Sequence, residues 1–343
     1  MDVAHEVFDT FISDKLYAAL LPSHAAPYKF TDHTTNATIL SLSTWKDNIF
    51  RQFTSLFLIT WILGLLNYFV FATLSYIFIF DKKIFKHPEY LKRQIRLEIK
   101  QANKAMPVMA VCTAFTFLAE VRGFCKLYDA TEDGSGRWYD WAQFPFFILF
   151  TDIFIYWLHR WLHLPLVYRH LHKPHHKWIM PSPYASHAFH LLDGSAQSLP
   201  YHVYPISPPL NKLAYVVLFV FINFWIILIH DGEYITDNPI INGSACHTAH
   251  HLYFNCNYGQ FTTLWDRLGG NYRKPDLAWF NRETKMSRKT WESNMKEMED
   301  IQREVEGADD RQYVVAKTKK KNRSRSRLLP PLVVLSGSIW LTS

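Results

Sequence analysis

The sequence predicts an all-α integral membrane protein with about four transmembrane helices and a cytosolic, helical, histidine-rich cap that binds metal. Three observations predict this fold class. Long stretches carry no charge, aromatic residues make up 16% of the chain, and 13 of the 17 histidines lie between His159 and His251. Aromatic side chains concentrate at membrane interfaces, and histidine is the commonest metal ligand. A mean hydropathy of −0.10 indicates that membrane helices are only part of the molecule.

The uncharged stretches set the number of spans. Residues 53–80 contain no charged side chain, and a span needs about 20 apolar residues, so this stretch is the first predicted transmembrane helix. Residues 105–119 are also uncharged, but alone they are ambiguous between a buried helix and a span. Residues 141–158, interrupted by Asp152, and residues 213–229 complete the apolar segments.

Charge sets the expected orientation. Residues 81–104 carry eight Lys or Arg against three acids, and the positive-inside rule places them in the cytosol. The segment 1–45 lacks a signal-peptide pattern and is then lumenal, so the sequon that begins at Asn36 is accessible to glycosylation. The third span returns to the cytosol and delivers His159 and His163 to the cytosolic membrane face.

The last apolar unit is constrained by the histidines on its two sides. His190 precedes it and His230 follows it, so residues 194–229 must enter and leave on one side if both histidines serve one cytosolic site. This predicts a hairpin as the last pair of helices, with the sequon at Asn242 in the cytosol and unused. Prolines break the first half, which requires protein to cover its backbone: Pro200, Pro205, Pro208 and Pro209.

Four regions follow. Residues 1–45 form a lumenal segment, and residues 46–275 hold the membrane helices and the histidine boxes. Residues 276–310 are a cytosolic polar region with an exposed helix at Arg288–Glu306. Residues 311–343 form a basic tail, which the composition predicts to be disordered or, alternatively, in contact with anionic lipid. Much of the net charge of +7 lies in this tail. For the protein as a whole we expect membrane lipid, and no nucleic acid, as a partner.

The histidines fall into three boxes with ligand-like spacing. The first box has two histidines four residues apart, on one face of a helix if the third span continues. In the other two boxes adjacent histidines point in different directions, so one of each pair can reach each of two metal ions, or one of them can support a ligand from outside the coordination sphere. The expected ligands exceed the four of one tetrahedral zinc: His159, His163, His172, His175, His176, His247, His250 and His251.

Other polar residues of this region are weaker candidates. His187, His190 and His230 are possible additional ligands, whereas His170 and His202 suit packing or outer positions better. Asp152, inside an apolar segment, is a functional candidate that alternatively holds a ligand histidine by a hydrogen bond. There is no HExxH motif, which argues against a zinc protease. Ligand type alone permits zinc or iron.

These boxes resemble those of the fatty acid hydroxylase superfamily, which comprises membrane enzymes with two non-haem iron ions. Within it the chain is most similar to the sterol C5-desaturases of fungi. The similarity covers roughly residues 45–306. It rests on the three boxes, on His187-Ala-Phe-His190, and on three longer stretches: Tyr168–His176, Ile229–Tyr234 and Asn242–Gly270. Many relatives carry a histidine where this chain has Cys246, so Cys246 is not expected to be an obligatory ligand.

The resemblance implies a specific reaction. The family introduces the C5=C6 double bond into Δ7-sterols, using O2 and electrons that pass from NAD(P)H through a reductase and cytochrome b5. The expected cofactors are therefore two iron ions held by the histidines, although imidazole also accepts zinc. The expected location is the endoplasmic reticulum membrane, with the site facing the cytosol, where a sterol reaches it from the bilayer and redox partners dock from outside.

Three alternatives remain open. A sterol C4-methyl oxidase or a lipid hydroxylase of the same superfamily shares the boxes, but lacks the sequence of residues 229–234 and 255–270 as it stands here. A membrane metal transporter needs ionisable groups along its spans, whereas residues 53–80 and 213–229 have none. A structural scaffold leaves the histidine spacing unexplained.

Overall fold

The computed structural model describes residues 48–281, 283–285, 287–306 and 311–313, and these residues are mostly helical. The sequon at Asn36 and the tail 317–327 lie outside them. The helices are, in chain order, α1 (Ile49–Phe78), α2 (Gln94–Val121), α3 (Arg137–Leu162), α4 (Pro165–Val167), α5 (Lys173–His176), α6 (Leu191–Val203), α7 (Lys212–Ile229), α8 (Ser244–Tyr253), α9 (Leu264–Leu268) and α10 (Arg288–Glu306). Two short strands, β1 (Leu127–Tyr128) and β2 (Leu210–Asn211), pair in parallel.

Four helices of the described residues, α1, α2, α3 and α7, are long and apolar enough to cross a membrane. The number predicted from the sequence is therefore confirmed. The ambiguous stretch 105–119 is the second half of α2, whose first half is polar and begins at Gln94. Helix α1 begins before its uncharged stretch because Asn48 Oδ1 accepts hydrogen bonds from the backbone N–H groups of Phe50 and Arg51, which caps the first turn.

The first half of the predicted hairpin contains a helix too short to span a membrane. Helix α6 has 13 residues, or about 20 Å, and a 3-10 turn at Tyr204–Ile206 follows it. Beyond this turn, β2 pairs with β1 in the loop between α2 and α3. The end of α6 therefore lies beside that loop, and α7 leads from β2 back to His230.

Buried apolar side chains of the described residues form four clusters, of which two are the largest. The membrane core joins α2, α3, α6 and α7 through side chains such as Phe117, Phe147 and Leu218. The second core lies under the polar C-terminal region and contains Trp279 and Trp291. Helix α10 spans the residues that the sequence predicted, but its Trp291 face is buried because it packs on this second core. Side chains facing outward from α1 and α7 remain apolar and exposed, as a lipid environment requires.

A buried lysine connects the end of the first span to the C-terminal region. Lys285 is 2% exposed, and its Nζ lies 3.3 Å from Asp81 Oδ2 and 3.4 Å from Glu233 Oε2. It also lies over the ring of Tyr234, 4.4 Å from the centroid. Because a buried cation is stable only when it is paired, this contact fixes the segment after His230 against the end of α1.

Candidate metal centre

The histidines converge in two adjacent clusters. Within each cluster, one ring nitrogen from every histidine lies within 4.8 Å of the others. The first cluster contains His159, His163, His172, His176 and His250. The second contains His175, His230, His247 and His251. Together the two clusters contain the eight box histidines and His230. Nearly all of these side chains are buried.

Local helical geometry explains how neighbouring residues reach different clusters. His247 and His251 are four residues apart on α8 and therefore share one face, which points to the second cluster. His250 points to the first cluster from the adjacent face. In the same way, His175 and His176 at the end of α5 belong to different clusters. A π-helical turn at Tyr168–His172 precedes α5 and places His172 in the first cluster, and such turns are frequent at functional sites.

Four of the rings are oriented by hydrogen bonds from Nδ1. The acceptors are oxygens: Tyr258 O for His159 (2.9 Å), Asp193 Oδ2 for His172 (2.8 Å), Ile226 O for His230 (2.7 Å) and Cys256 O for His250 (2.7 Å). When Nδ1 donates to an oxygen, Nε2 of the neutral ring carries a lone pair. These contacts therefore fix the tautomer and aim Nε2 into the clusters, as partners of metal-binding histidines do.

The inward nitrogens face one another. His159 Nε2 and His172 Nε2 are 3.1 Å apart, although both rings already donate from Nδ1. Two lone pairs at this separation repel unless a cation lies between or beside them. The Nε2 atoms of His230 and His247 are likewise 3.0 Å apart. Buried ring nitrogens of His163, His176 and others have no hydrogen-bond partner among the described residues. The donor set therefore fits a pair of metal ions.

Burial also keeps the rings in the form that binds metal. Desolvation, followed by the neighbouring imidazoles, lowers the pKa of several histidines well below the usual 6.5: His163, His175, His176, His247 and His251. Burial likewise lowers the pKa of His250 to about 3 and that of His230 to about 4. The rings are then neutral near pH 7, and neutral imidazole is the ligand form.

The structure assigns the carboxylates of this region roles that the sequence did not. Asp193, 0% exposed, accepts the hydrogen bond from His172, a role that no sequence motif indicates. Among the described residues, the hydrogen-bond partners of Asp152 include no clustered histidine. Its carboxylate instead accepts hydrogen bonds from the backbone N–H groups of Gln260, Phe261 and Thr262. The alternative that Asp152 orients a ligand histidine is therefore replaced by a role in fixing this loop against α3.

Two candidate ligands, His187 and His190, lie outside both clusters. His187 is buried, with Nδ1 3.0 Å from Ser186 Oγ and Nε2 3.4 Å from Asn223 Oδ1. The Nδ1 atom of His190 instead accepts a hydrogen bond from the backbone N–H of Leu192, at the start of α6. His202 also lies elsewhere, 2.9 Å from the hydroxyl of Tyr215.

A cavity leads from the clusters into the membrane helices. Its volume is about 610 Å³, within the range of small-molecule sites, and its walls come mainly from α1, α2, α6 and α7. His159, His175, His230 and His247 line it, and so do residues at both ends of α7. Because α7 has 18 residues and is therefore about 27 Å long, the cavity suits an elongated apolar molecule.

The comparisons with known proteins agree with this geometry. The fatty acid hydroxylase family model matches residues 144–271, which include both clusters, and with the four candidate spans this defines a histidine-rich membrane protein of that class. The chain is 59% identical to the probable Delta(7)-sterol 5(6)-desaturase of Neurospora crassa, over 93% of this chain and 99% of that protein. It is 54% identical to the Delta(7)-sterol 5(6)-desaturase of Gibberella zeae, over 91% and 97%. The chain therefore belongs to the Delta(7)-sterol 5(6)-desaturase family. No solved structure matches it.

Proposed function

We propose that this chain is an oxidoreductase that introduces the C5=C6 double bond into a Δ7-sterol of an ergosterol-type pathway. The observation that carries the proposal is the position of two histidine clusters at one end of a long apolar cavity. The reaction removes two hydrogen atoms from the sterol and, with O2, two electrons and two protons, yields the alkene and two waters. Family membership supports the sterol as substrate.

The nine clustered histidines are the proposed ligands of two non-haem iron ions. Bound iron supplies activation of dioxygen, which zinc cannot provide because zinc does not change its redox state. The unequal clusters, five histidines and four, make the two sites chemically different. His187 and His190 are not assigned as ligands in this proposal, since neither ring reaches a cluster.

The protein residues orient and shield the reacting centre. The oxygens that accept from His159, His172, His230 and His250 hold each ring in one tautomer and one orientation. Apolar side chains of α1, α2 and α7 enclose the sterol and exclude water from the clusters. We assign no histidine as a general acid or base.

The same arrangement supports a location and a set of redox partners. We place the clusters at the cytosolic face of the endoplasmic reticulum membrane, with residues 1–45 lumenal, 46–275 as the desaturase domain, 276–310 cytosolic and 311–343 as a basic tail. Helices α6 and α7 then form a hairpin that begins and ends on the cytosolic side. Electrons from NAD(P)H arrive through a reductase and cytochrome b5. Asn242 is 2% exposed and donates to Gly259 O, which supports an unused sequon.

Sterol profiling tests this proposal. The intact chain, His250→Ala and His170→Ala are expressed in cells that lack their own C5-desaturase, and sterols are measured by gas chromatography–mass spectrometry. We expect Δ5,7-sterols with the intact chain and with His170→Ala, because His170 is exposed and outside both clusters, and none with His250→Ala. Persistent Δ7-sterols despite membrane expression contradict desaturation, and new oxygenated sterols indicate a C4-methyl oxidase or a hydroxylase instead.

A further inference from the structure

The cavity reaches the surface of the protein on one side, and the exposure of its lining residues locates this side. The residues that line it from α2, α3, α6 and the loops are buried or half-buried. Within the part of the chain that the structure describes, the exposed lining residues all belong to α1 and α7: Leu63, Leu66, Val70, Val216 and Val220. The cavity therefore opens between these two helices, and we call the gap bordered by these five residues the lateral opening.

Helical geometry places the border residues in two stripes. The three on α1 are spaced by three and four positions, and the two on α7 are four positions apart, so each set shares one face of its helix. Gly64 adds space on the α1 side, because it lines the cavity and a Cβ atom added to it would meet no neighbouring helix within 4 Å. All five border side chains are apolar, so the lateral opening suits an apolar ligand.

The lateral opening lies part of the way along two candidate membrane spans. Val220 and Val216 precede His230 on α7 by about 15 Å and 21 Å of helix, and the hydrocarbon core of a bilayer is about 30 Å thick. On the side of the clusters, the lateral opening ends where Phe71 of α1 meets Phe224 of α7, with ring centroids 5.6 Å apart. It therefore faces lipid, and the contact between these two rings separates it from the end of α7 that carries His230.

We propose that the Δ7-sterol enters and leaves the cavity sideways from the bilayer, through the lateral opening between α1 and α7. This inference rests on the proposed function. A sterol is almost wholly apolar, so it passes an apolar border without losing hydrogen bonds, whereas a polar ligand from water would lose them there. Of the described residues after Gln260, none lines the cavity, so the polar C-terminal region offers no comparable route.

The test measures sterol exchange in the full-length protein, held on an affinity resin in detergent micelles without any reductant. Bound radiolabelled Δ7-sterol is followed during loading and then during a chase with unlabelled sterol. Tryptophan at a border residue narrows the lateral opening, and a higher barrier slows both directions equally without changing the equilibrium. We therefore expect Leu63→Trp and Val216→Trp to slow loading and release alike by about tenfold, with the affinity changed by less than about threefold.

The neighbouring residues of the same helices provide matched controls. Ile62 is 52% exposed beside Leu63 at 53%, and Val217 is 50% exposed beside Val216 at 50%. Neither Ile62 nor Val217 lines the cavity, so a tryptophan there projects into lipid alone. We expect Ile62→Trp and Val217→Trp to leave both rates unchanged.

Three results overturn the inference. These are unchanged exchange in both border variants, equal slowing in the two controls, or faster release with a matching loss of affinity, because tryptophan then displaces bound sterol instead of obstructing its path. If the border variants do not fold, Gly64→Leu adds a side chain where space is free and is favourable within a helix. Because exchange is measured without turnover, missing Δ5,7-sterol in the cellular assay contradicts the proposed reaction, whereas these rates alone decide the route of entry.

Discussion

At the scale of single residues, the acceptor of each Nδ1 hydrogen bond fixes the tautomer and the orientation of a clustered histidine. Three of the four acceptors are backbone carbonyls, but His172 donates to the carboxylate of Asp193, and both side chains are 0% exposed. An anionic acceptor makes the ring a stronger donor of electron density to a metal ion than a carbonyl does. Asp193 also accepts from Gln197 Nε2 (2.8 Å), which holds the carboxylate in place.

Replacing Asp193 with asparagine removes this charge and keeps the shape. We expect Asp193→Asn to weaken iron binding and to lower desaturation about tenfold to a hundredfold, the usual effect of losing such a partner. Iron content after dialysis against a graded chelator series measures the affinity. Asp129→Asn is the matched control, because Asp129 is exposed and pairs with Lys212 in the region remote from the clusters. Equal iron retention in the two variants would contradict this role.

At the scale of the elements, the short helix α5 and helix α8 divide their histidines between the clusters. In a helix, adjacent side chains are rotated by about 100° from each other, so the pairs His175–His176 and His250–His251 each contribute one ring to either side. Each of these two helices therefore contributes histidines to both clusters. Removing a histidine from one cluster should therefore leave the other cluster intact.

This division predicts metal stoichiometry. We expect His176→Ala to lose the ion of the first cluster and His175→Ala to lose that of the second, so each variant retains about one iron where the intact chain holds about two. Elemental analysis of the purified protein against its amino-acid concentration gives the ratio, with His170→Ala as control. Loss of both ions in either single variant would show that the clusters do not load separately.

At the scale of the whole molecule, the packing of the helices connects the metal centre to the bilayer. The cavity runs between α1, α2, α6 and α7, and the loop after β1 lies beside the end of α6. The polar C-terminal region packs against the rest of the molecule through the second apolar core and Lys285. In the proposed orientation, we expect a sterol to arrive from the bilayer and an electron donor from the opposite side.

The proposed orientation predicts glycan attachment. We expect the endoplasmic reticulum form of the protein to carry a glycan at Asn36, seen as a mobility shift that a deglycosylating enzyme removes. The shift should vanish in Asn36→Gln and persist in Asn242→Gln, since Asn242 is buried beside the clusters. A shift that depends on Asn242 would place the clusters on the lumenal side and refute the orientation.

Some properties of this protein follow from the sequence by itself. Hydropathy depends on local composition, so the sequence predicted about four spans, and four described helices are long and apolar enough to cross a membrane. Helix α10 was predicted at its observed bounds. The family also followed from the sequence, because the histidine boxes and the residues after them form continuous motifs.

Tertiary structure alone decided the remainder, because those contacts join residues that are distant in the chain. Asp193 lies 21 residues from His172, and Asp152 lies more than a hundred residues from the loop that it fixes. The apolar segment around Asp152 marked it as unusual, but no local pattern names the partner of either acid. Nor does spacing decide that His230 joins a cluster whereas His187 lies on the cavity wall. Long-range packing selects these partners.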